Sequence, residues 1–357
     1  MRTRFCLISV ILLCVGVVHA DEAALRLAFA GDVMMGTNFP ENADGAYLPP
    51  DNGADLLRHV TPILSQADLA AANLEGTLLN SGGKLKECKD STLLYAFRTP
   101  TAYVANLKRA GFDFMSLANN HINDFGSEGR QSTKATLREA GIGFAGLKSD
   151  TPWHITAVKG RKVGFTAFSP NAGTLSIHDY TEMRRIVNHL DSVCDIVVVS
   201  FHGGGEGAKY QHVTGEEEEC FNEKRGNVLK FARAAVEAGA DVVYGHGPHV
   251  TRAMELYRDR LIIYSLGNFC TPYRVNLSGI SGHAPVVTVD TDGKGKFIRG
   301  QIHPFIQARG KGPLPDKSGA VIRQIQRLTR NDFPASPRLH IASDGTLKRI
   351  SPPASSR

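Results

Sequence analysis

The sequence predicts an α/β sandwich in one domain, with mixed sheets in the centre and helices outside. Apolar, β-branched runs of strand length alternate with helical segments through most of the 357 residues. Turn signatures place hairpins in the middle and late parts of the chain, so the sheets are expected to be mixed rather than parallel throughout. Hydrophobic residues make up 42% of the chain, enough to fill a core between packed layers.

Each element follows in order. Met1-Arg2-Thr3-Arg4, an apolar stretch over residues 5–18 and the A-x-A-like Val18-His19-Ala20 form a secretory signal peptide over residues 1–20, with cleavage after Ala20. The apolar stretch is shorter than the roughly 20 residues a membrane span requires. Residues 25–30 are a strand ending in Gly31-Asp32-Val33-Met34-Met35-Gly36, and 54–65 a helix with Asp51 or Asn52 near its cap. The strand 68–72 stops in Asn73-Leu74-Glu75-Gly76, and residues 80–95 are a polar surface excursion. A helix over 101–110 lies between Pro100 and Gly111. The apolar run 112–117 is a buried strand that breaks into Ser116-Leu117-Ala118-Asn119-Asn120-His121-Ile122-Asn123-Asp124-Phe125-Gly126. A helix over 129–140 and a short strand over 142–145 follow.

Lys159-Gly160-Arg161 joins residues 153–158 and 162–169 in a hairpin. After a helix at 181–190, the β-branched run 195–201 is a strand buried on both faces, ending in His202-Gly203-Gly204-Gly205-Glu206. A second excursion carries four glutamates at 216–219, expected to be a solvated face. The helix 227–239 leads to the strand 241–244 and its end, Gly245-His246-Gly247-Pro248-His249. Two more hairpins, 254–257 with 261–266 and 285–289 with 297–304, complete a domain spanning 21–308. Residues 309–357, with scattered charge and several prolines, form a partly loose tail.

Charge and cysteines narrow the function classes. Loss of Arg2 and Arg4 with the signal lowers the formal charge from +6 to +4, and no Lys/Arg stripe points to nucleic acid. Cys88, Cys194, Cys220 and Cys270 remain, an even number in an exported chain. Cys88 and Cys220 both lie in polar, insertion-like segments and are the favoured pair. No C-x-x-C spacing suggests a thiolate zinc site.

Five strand ends carry polar clusters: Asp32; Asn73 with Glu75; Asn119, Asn120 and His121 with Asp124; His202 with Glu206; His246 with His249. No packing requirement asks for such residues there, whereas α/β proteins place ligands at the carboxyl edges of their sheets. Imidazole, carboxylate and amide oxygen together suit divalent Mn, Fe or Zn, as one ion or two. A metal pair about 4 Å apart, bridged by a carboxylate, needs this many ligands and activates water against a phosphoryl or acyl centre.

As an ordered series, these clusters and Tyr264-Ser265-Leu266-Gly267-Asn268-Phe269 resemble the CapA family of capsule (poly-γ-glutamate) synthesis proteins over roughly residues 25–270. That family is related to calcineurin-like metallophosphoesterases. The resemblance implies a four-layer α/β/β/α sandwich of the metallo-dependent phosphatase type. It also implies export, periplasmic or at the cell envelope, and work on an anionic γ-glutamyl or envelope polymer, with membrane-bound synthase subunits as possible partners and no nucleic acid. By motif, Asp32, Glu75, Asn120, His202 and His246 would hold metal, while His121 and His249 would orient substrate or move protons. The chain departs from the phosphoesterase pattern at Met34, where Asp-x-His is usual, and at Glu75, where Asp is common. It departs from CapA relatives at Gly203 (often tryptophan) and Gly247 (often histidine). Three functions fit: a metal-dependent hydrolase making, exporting or trimming the polymer; a polymer-binding accessory subunit without catalysis; and a secreted metal-dependent phosphodiesterase.

Overall fold

The computed structural model describes residues 25–41, 47–87, 94–334 and 338–350. The architecture grows from β1, Leu25–Val33. Leu25, Leu27 and Phe29 enter one apolar core and Ala28 and Ala30 another, as the two-residue period of a strand dictates. A strand apolar on both faces has to be covered on both sides. β2 (Leu69–Leu74), β3 (Phe114–Ser116) and β4 (Gly143–Ala145) continue the sheet from β1 in parallel.

The chain then builds a second sheet. β5 (Trp153–Val158), β6 (Arg161–Phe168), β7 (Ile196–His202), β8 (Val242–His246), β9 (Met254–Tyr257) and β10 (Arg260–Ile263) lie in the order β9-β10-β8-β7-β6-β5. The four inner strands are parallel, and β5 and β9 close the edges as antiparallel hairpin partners. Returning to the first sheet, β11 (Asn268–Cys270) lies parallel to the end of β1. β12 (Val286–Thr291), β13 (Phe297–His303), β14 (Leu339–Ile341) and β15 (Thr346–Arg349) extend its other side by antiparallel pairing.

The two sheets pack face to face. Phe29, Ala71 and Phe114 from the first meet Phe165, Val198 and Tyr244 from the second, and Phe114 stacks on Phe165 at 4.4 Å. Outside the first sheet lie α1 (Thr61–Leu64), α2 (Val104–Ala110) and α3 (Gly126–Glu139), burying Leu64, Leu107 and Leu137. Outside the second lie α4 (Tyr180–Val193) and α5 (Val228–Glu237), burying Met183, Ile186, Leu190 and Phe231. Each such side chain contributes about 1.5–3 kcal/mol of burial free energy. The result is the four-layer sandwich, helices outside two mixed sheets. α6 (Ala320–Asp332), within the stretch the sequence sets apart as a tail, sends Val321, Ile322 and Ile325 into the inter-sheet core.

Two expectations are corrected. Residues 54–60 form successive turns, with Leu56 N bonded to Gly53 O, Arg58 N to Asp55 O and Val60 N to Leu57 O. These close over three residues instead of four, so α-helix begins only at Thr61. The glutamate run is not a solvated face throughout: Glu218 is buried against Arg252, which donates from Nη1 to Oε1 at 2.8 Å and from Nη2 to Oε2 at 2.6 Å. The signal peptide and Cys88, and with it the favoured pairing to Cys220, lie outside the described residues.

Candidate functional site

The site forms where the parallel strands of both sheets end. Asp32 stands at the end of β1, level with Asn73 on β2 and Asn268 on β11. Gly31 makes this crowding possible, since a Cβ there would lie 2.0 Å from the carbonyl oxygen of Gly267. Asn73 Nδ2 donates to Asp32 Oδ1 at 2.9 Å, and Asn119 Nδ2 donates to Asn73 Oδ1 at 2.9 Å and to Leu74 O at 2.8 Å. Asn119 Oδ1 accepts the backbone N–H of His121 at 3.0 Å. This amide relay locks three strand ends together. In the Asn119-Asn120 pair the first residue is therefore a fastener, while Asn120 keeps a buried Oδ1 without a hydrogen-bond partner among the described residues.

The second sheet supplies its histidines opposite. His202 and His246 are register partners on β7 and β8, both fully buried. Their positions continue the inward-facing sets Ile196, Val198 and Val242, Tyr244. None of their four ring nitrogens has an aligned hydrogen-bond partner among the described residues. His246 Nδ1 does lie 3.0 Å from Asp32 Oδ1, close in distance without hydrogen-bond alignment. His249 reaches in from a turn with φ of +56°. Its Nδ1 is 3.1 Å from Asn268 Oδ1 and 3.2 Å from Asp32 Oδ2, and its Nε2 is 3.7 Å from Glu75 Oε1. One donor atom each from Asp32, Glu75 and His249 lies within 4.8 Å of the others.

The electrostatics are those of a pocket that holds positive charge. Burial pushes the Asp32 carboxyl up, but the close approach and charge of His246 and His249 outweigh it, and the group is held far below the usual carboxylate range. Glu75 goes the other way, raised well above its ordinary value by burial and then by the charge of Asp32. Burial alone would depress His249; Glu75 and Asp32 instead lift it to about 10. Burial drives His202 well below its ordinary value, so it is neutral at physiological pH and its nitrogens are available to a cation.

These residues fit a divalent metal. Asp32 Oδ2, Glu75 Oε1, Asn120 Oδ1 and the ring nitrogens of His202 and His246 are all buried without hydrogen-bond partners among the described residues, and leaving such groups unpaired is costly. Hard oxygen and imidazole donors in one place suit Mn, Fe or Zn. His249, expected to orient substrate or move protons, has a ring nitrogen within 4.8 Å of the Asp32 and Glu75 carboxylate oxygens.

In front of this floor opens a cleft of about 390 Å³ lined by Glu75, Asn120, His121, His249, Arg225 and Arg274, among others. His121 Nδ1 is 2.8 Å from Asp124 Oδ2, and its ring packs 4.3 Å from Phe97. Burial holds its pKa below the ordinary value, Asp124 opposing the shift. Glu206, grouped by sequence with His202, is bound instead by Arg225 Nη2 at 2.9 Å. Lys86, Tyr95, Arg225 and Arg274 line the cleft without having been singled out, because they sit in polar excursions, Arg225 on a short strand and the others in loops, whose course only the fold sets. Two departures from the relatives' pattern are linked. A Cβ at Gly247, where φ is +112°, would lie 2.7 Å from Gly203 O, and one at Gly203 would lie 2.7 Å from Ile177. The backbone here closes over the space that larger residues would need.

The chain is similar to known proteins along most of its length. The capsule biosynthesis protein CapA of Bacillus anthracis is 30% identical over 270 residues, 70% of this chain and 61% of that protein. The PGA biosynthesis protein CapA of Bacillus subtilis is 28% identical over 267 residues, 70% of this chain and 64% of that one. The chain thus spans less than two thirds of the length of either relative. A phosphatase from Mycoplasma pneumoniae superposes with a TM-score of 0.49 at 14% identity, over 80% of this chain and 94% of that one. Residues 26–273, well over half the chain, match the bacterial capsule synthesis protein PGA_cap model, and the protein belongs to that family.

Proposed function

We propose that this is an exported protein that handles a capsular polymer of the poly-γ-glutamate type and hydrolyses bonds in it at a divalent metal site. The observation that carries the reading is the buried donor set, Asp32, Glu75 and His249 with His202, His246 and Asn120 beside them, opening on a cleft. Those six residues would hold the cation. When bound, it supplies Lewis-acid polarisation of a carbonyl or phosphoryl oxygen and lowers the pKa of water.

The chain's own groups do the rest. Asn73 and Asn119 hold Asp32 and the His121 backbone in fixed positions before substrate arrives. With its Nδ1 engaged by Asp124, His121 has Nε2 left to exchange a proton with a group in the cleft, and burial keeps it neutral and able to accept one.

Metal content and hydrolysis of poly-γ-glutamate, measured together on the purified chain, test the reading. Stoichiometric metal and shortening of the polymer, lost in His202→Ala and reduced about 100-fold or more in His121→Ala, are the expected results. No metal in the wild type, with polymer production in cells unaffected by either variant, would remove the hydrolase and leave a polymer-binding accessory subunit. Turnover of bis-p-nitrophenyl phosphate but not of the polymer would move the substrate to phosphodiesters.

A further inference from the structure

Three Lys and Arg side chains line the cleft, and two of them are already engaged. Arg225 is held by Glu206 and Glu223, each at 2.9 Å, and Lys86 by Asp124 at 2.6 Å. Arg274 makes no ion pair among the described residues. Its guanidinium carbon instead sits 5.2 Å from the ring centre of Tyr47 and 5.5 Å from that of Tyr95, at the mouth of the cleft. Both rings lie within cation–π range of the guanidinium and occupy none of its N–H groups with a charge partner.

The loop carrying Arg274 is also tied to the metal-binding floor. The Asn268 amide, whose Oδ1 meets His249 Nδ1, donates from Nδ2 to the carbonyl oxygens of His249, Asn276 and Ser281 at 3.2, 3.4 and 3.0 Å. Gln307 Oε1 accepts the Thr271 N–H at 2.7 Å and pins the start of the same loop. Arg274 itself has φ of +58°, a strained backbone for a long side chain, which the surrounding bonds maintain. A half-buried and strained arginine with no carboxylate partner among the described residues is a poor stabiliser and a good receptor for an oxyanion.

We infer that Arg274, in cation–π contact with Tyr47 and Tyr95, is a specificity-determining residue that binds an oxyanion of the substrate, a carboxylate or a phosphate, beside the bond positioned over Asp32, Glu75 and His249. The inference uses the proposed polymer-handling reading only to name the carboxylate as the expected source. The planar fork gives bidentate recognition, which a lysine ammonium cannot reproduce.

Binding of three fluorescent probes to the full chain tests it: a γ-glutamyl oligomer, the same oligomer with its side carboxyls amidated, and a phosphorylated peptide of similar length. Arg274→Ala and Arg274→Lys are compared with Arg184→Ala, an exposed charge on α4 outside the cleft lining. The expected result is a loss of about tenfold or more for the carboxylate oligomer in both Arg274 variants. The amidated probe should bind weakly and equally to all proteins, and Arg184→Ala should match the wild type. Unchanged melting temperatures exclude misfolding, and Tyr95→Ala, which removes one of the two rings beside Arg274, should give an intermediate loss.

Wild-type affinity for the carboxylate oligomer that survives in Arg274→Ala overturns the inference while the polymer reading stands. Binding of the phosphorylated probe alone, lost in Arg274→Ala, keeps the oxyanion assignment and overturns the polymer reading. Binding of neither probe by the wild type overturns both.

Discussion

Removing the carboxylate of Glu218 isolates a buried charge whose cost follows from its contacts. Arg252 is 0% exposed and Glu218 6% exposed, and the two meet in a bidentate pair. Glu218 Oε2 also accepts the Gly205 N–H at 2.9 Å, fastening the glycine turn after His202. Glu218→Ala therefore leaves a guanidinium without a counter-ion in the interior, a loss of about 3–5 kcal/mol. The double variant Arg252→Met/Glu218→Leu removes both charges, and its main residual defect is the orphaned Gly205 N–H, worth about 1–3 kcal/mol. It should recover about 2 kcal/mol relative to the single change. Guanidinium unfolding of all the variants, followed by far-UV circular dichroism, measures these differences. A Glu218→Ala protein within about 1 kcal/mol of wild type, or a double variant no better than the single, would refute the claim that this pair is buried and coupled.

Three other perturbations have defined outcomes. Gly31→Ala places a methyl 2.0 Å from the Gly267 carbonyl, so β1 and β11 must separate; a loss of about 3 kcal/mol or more, or failure to fold, is expected in the same unfolding assay. Mn added at about 100 times its dissociation constant should stabilise the wild type by about 2.7 kcal/mol, and the rise in melting temperature should vanish in Asp32→Asn. Burial, with a smaller push from Arg26, lowers His303 to about 4, below its unfolded value. Protonation then favours the unfolded chain, so this contribution is complete above about pH 6.5 and is lost as pH falls toward 4. After discounting for partial exposure it amounts to about 1–2 kcal/mol. His303→Gln should reduce the acid sensitivity of the unfolding free energy by that amount, and an unchanged pH profile would count against it.

Much of the architecture was legible because it rests on local periodicity. The two-residue alternation in β1 and the unbroken apolar run of β7 each state how many faces must be covered, and the helical segments between them supply the cover. The region 54–60 misled because its apolar spacing suits a helix while its backbone closes three-residue turns, a choice made by hydrogen bonding that spacing does not encode. The glutamate run misled for a different reason: Glu218 and Arg252 are 34 residues apart, and nothing near either one announces the partner.

The sequence by itself determined which residues stand at the carboxyl ends of strands, and so the inventory Asp32, Glu75, Asn120, His121, His202, His246 and His249. Strand ends are marked locally, by the change from apolar to polar residues. Only the tertiary structure decided how these residues and their neighbours are arranged: Asn119 tied into the amide relay, Asn120 Oδ1 buried without a partner among the described residues, His249 close to Asp32 and Glu75, Arg274 in the cleft lining. That arrangement depends on distances of a few ångströms between segments far apart in the chain, such as Asp32 and His249, 217 residues apart and 3.2 Å from each other, and distance in space is set by how the two sheets pack.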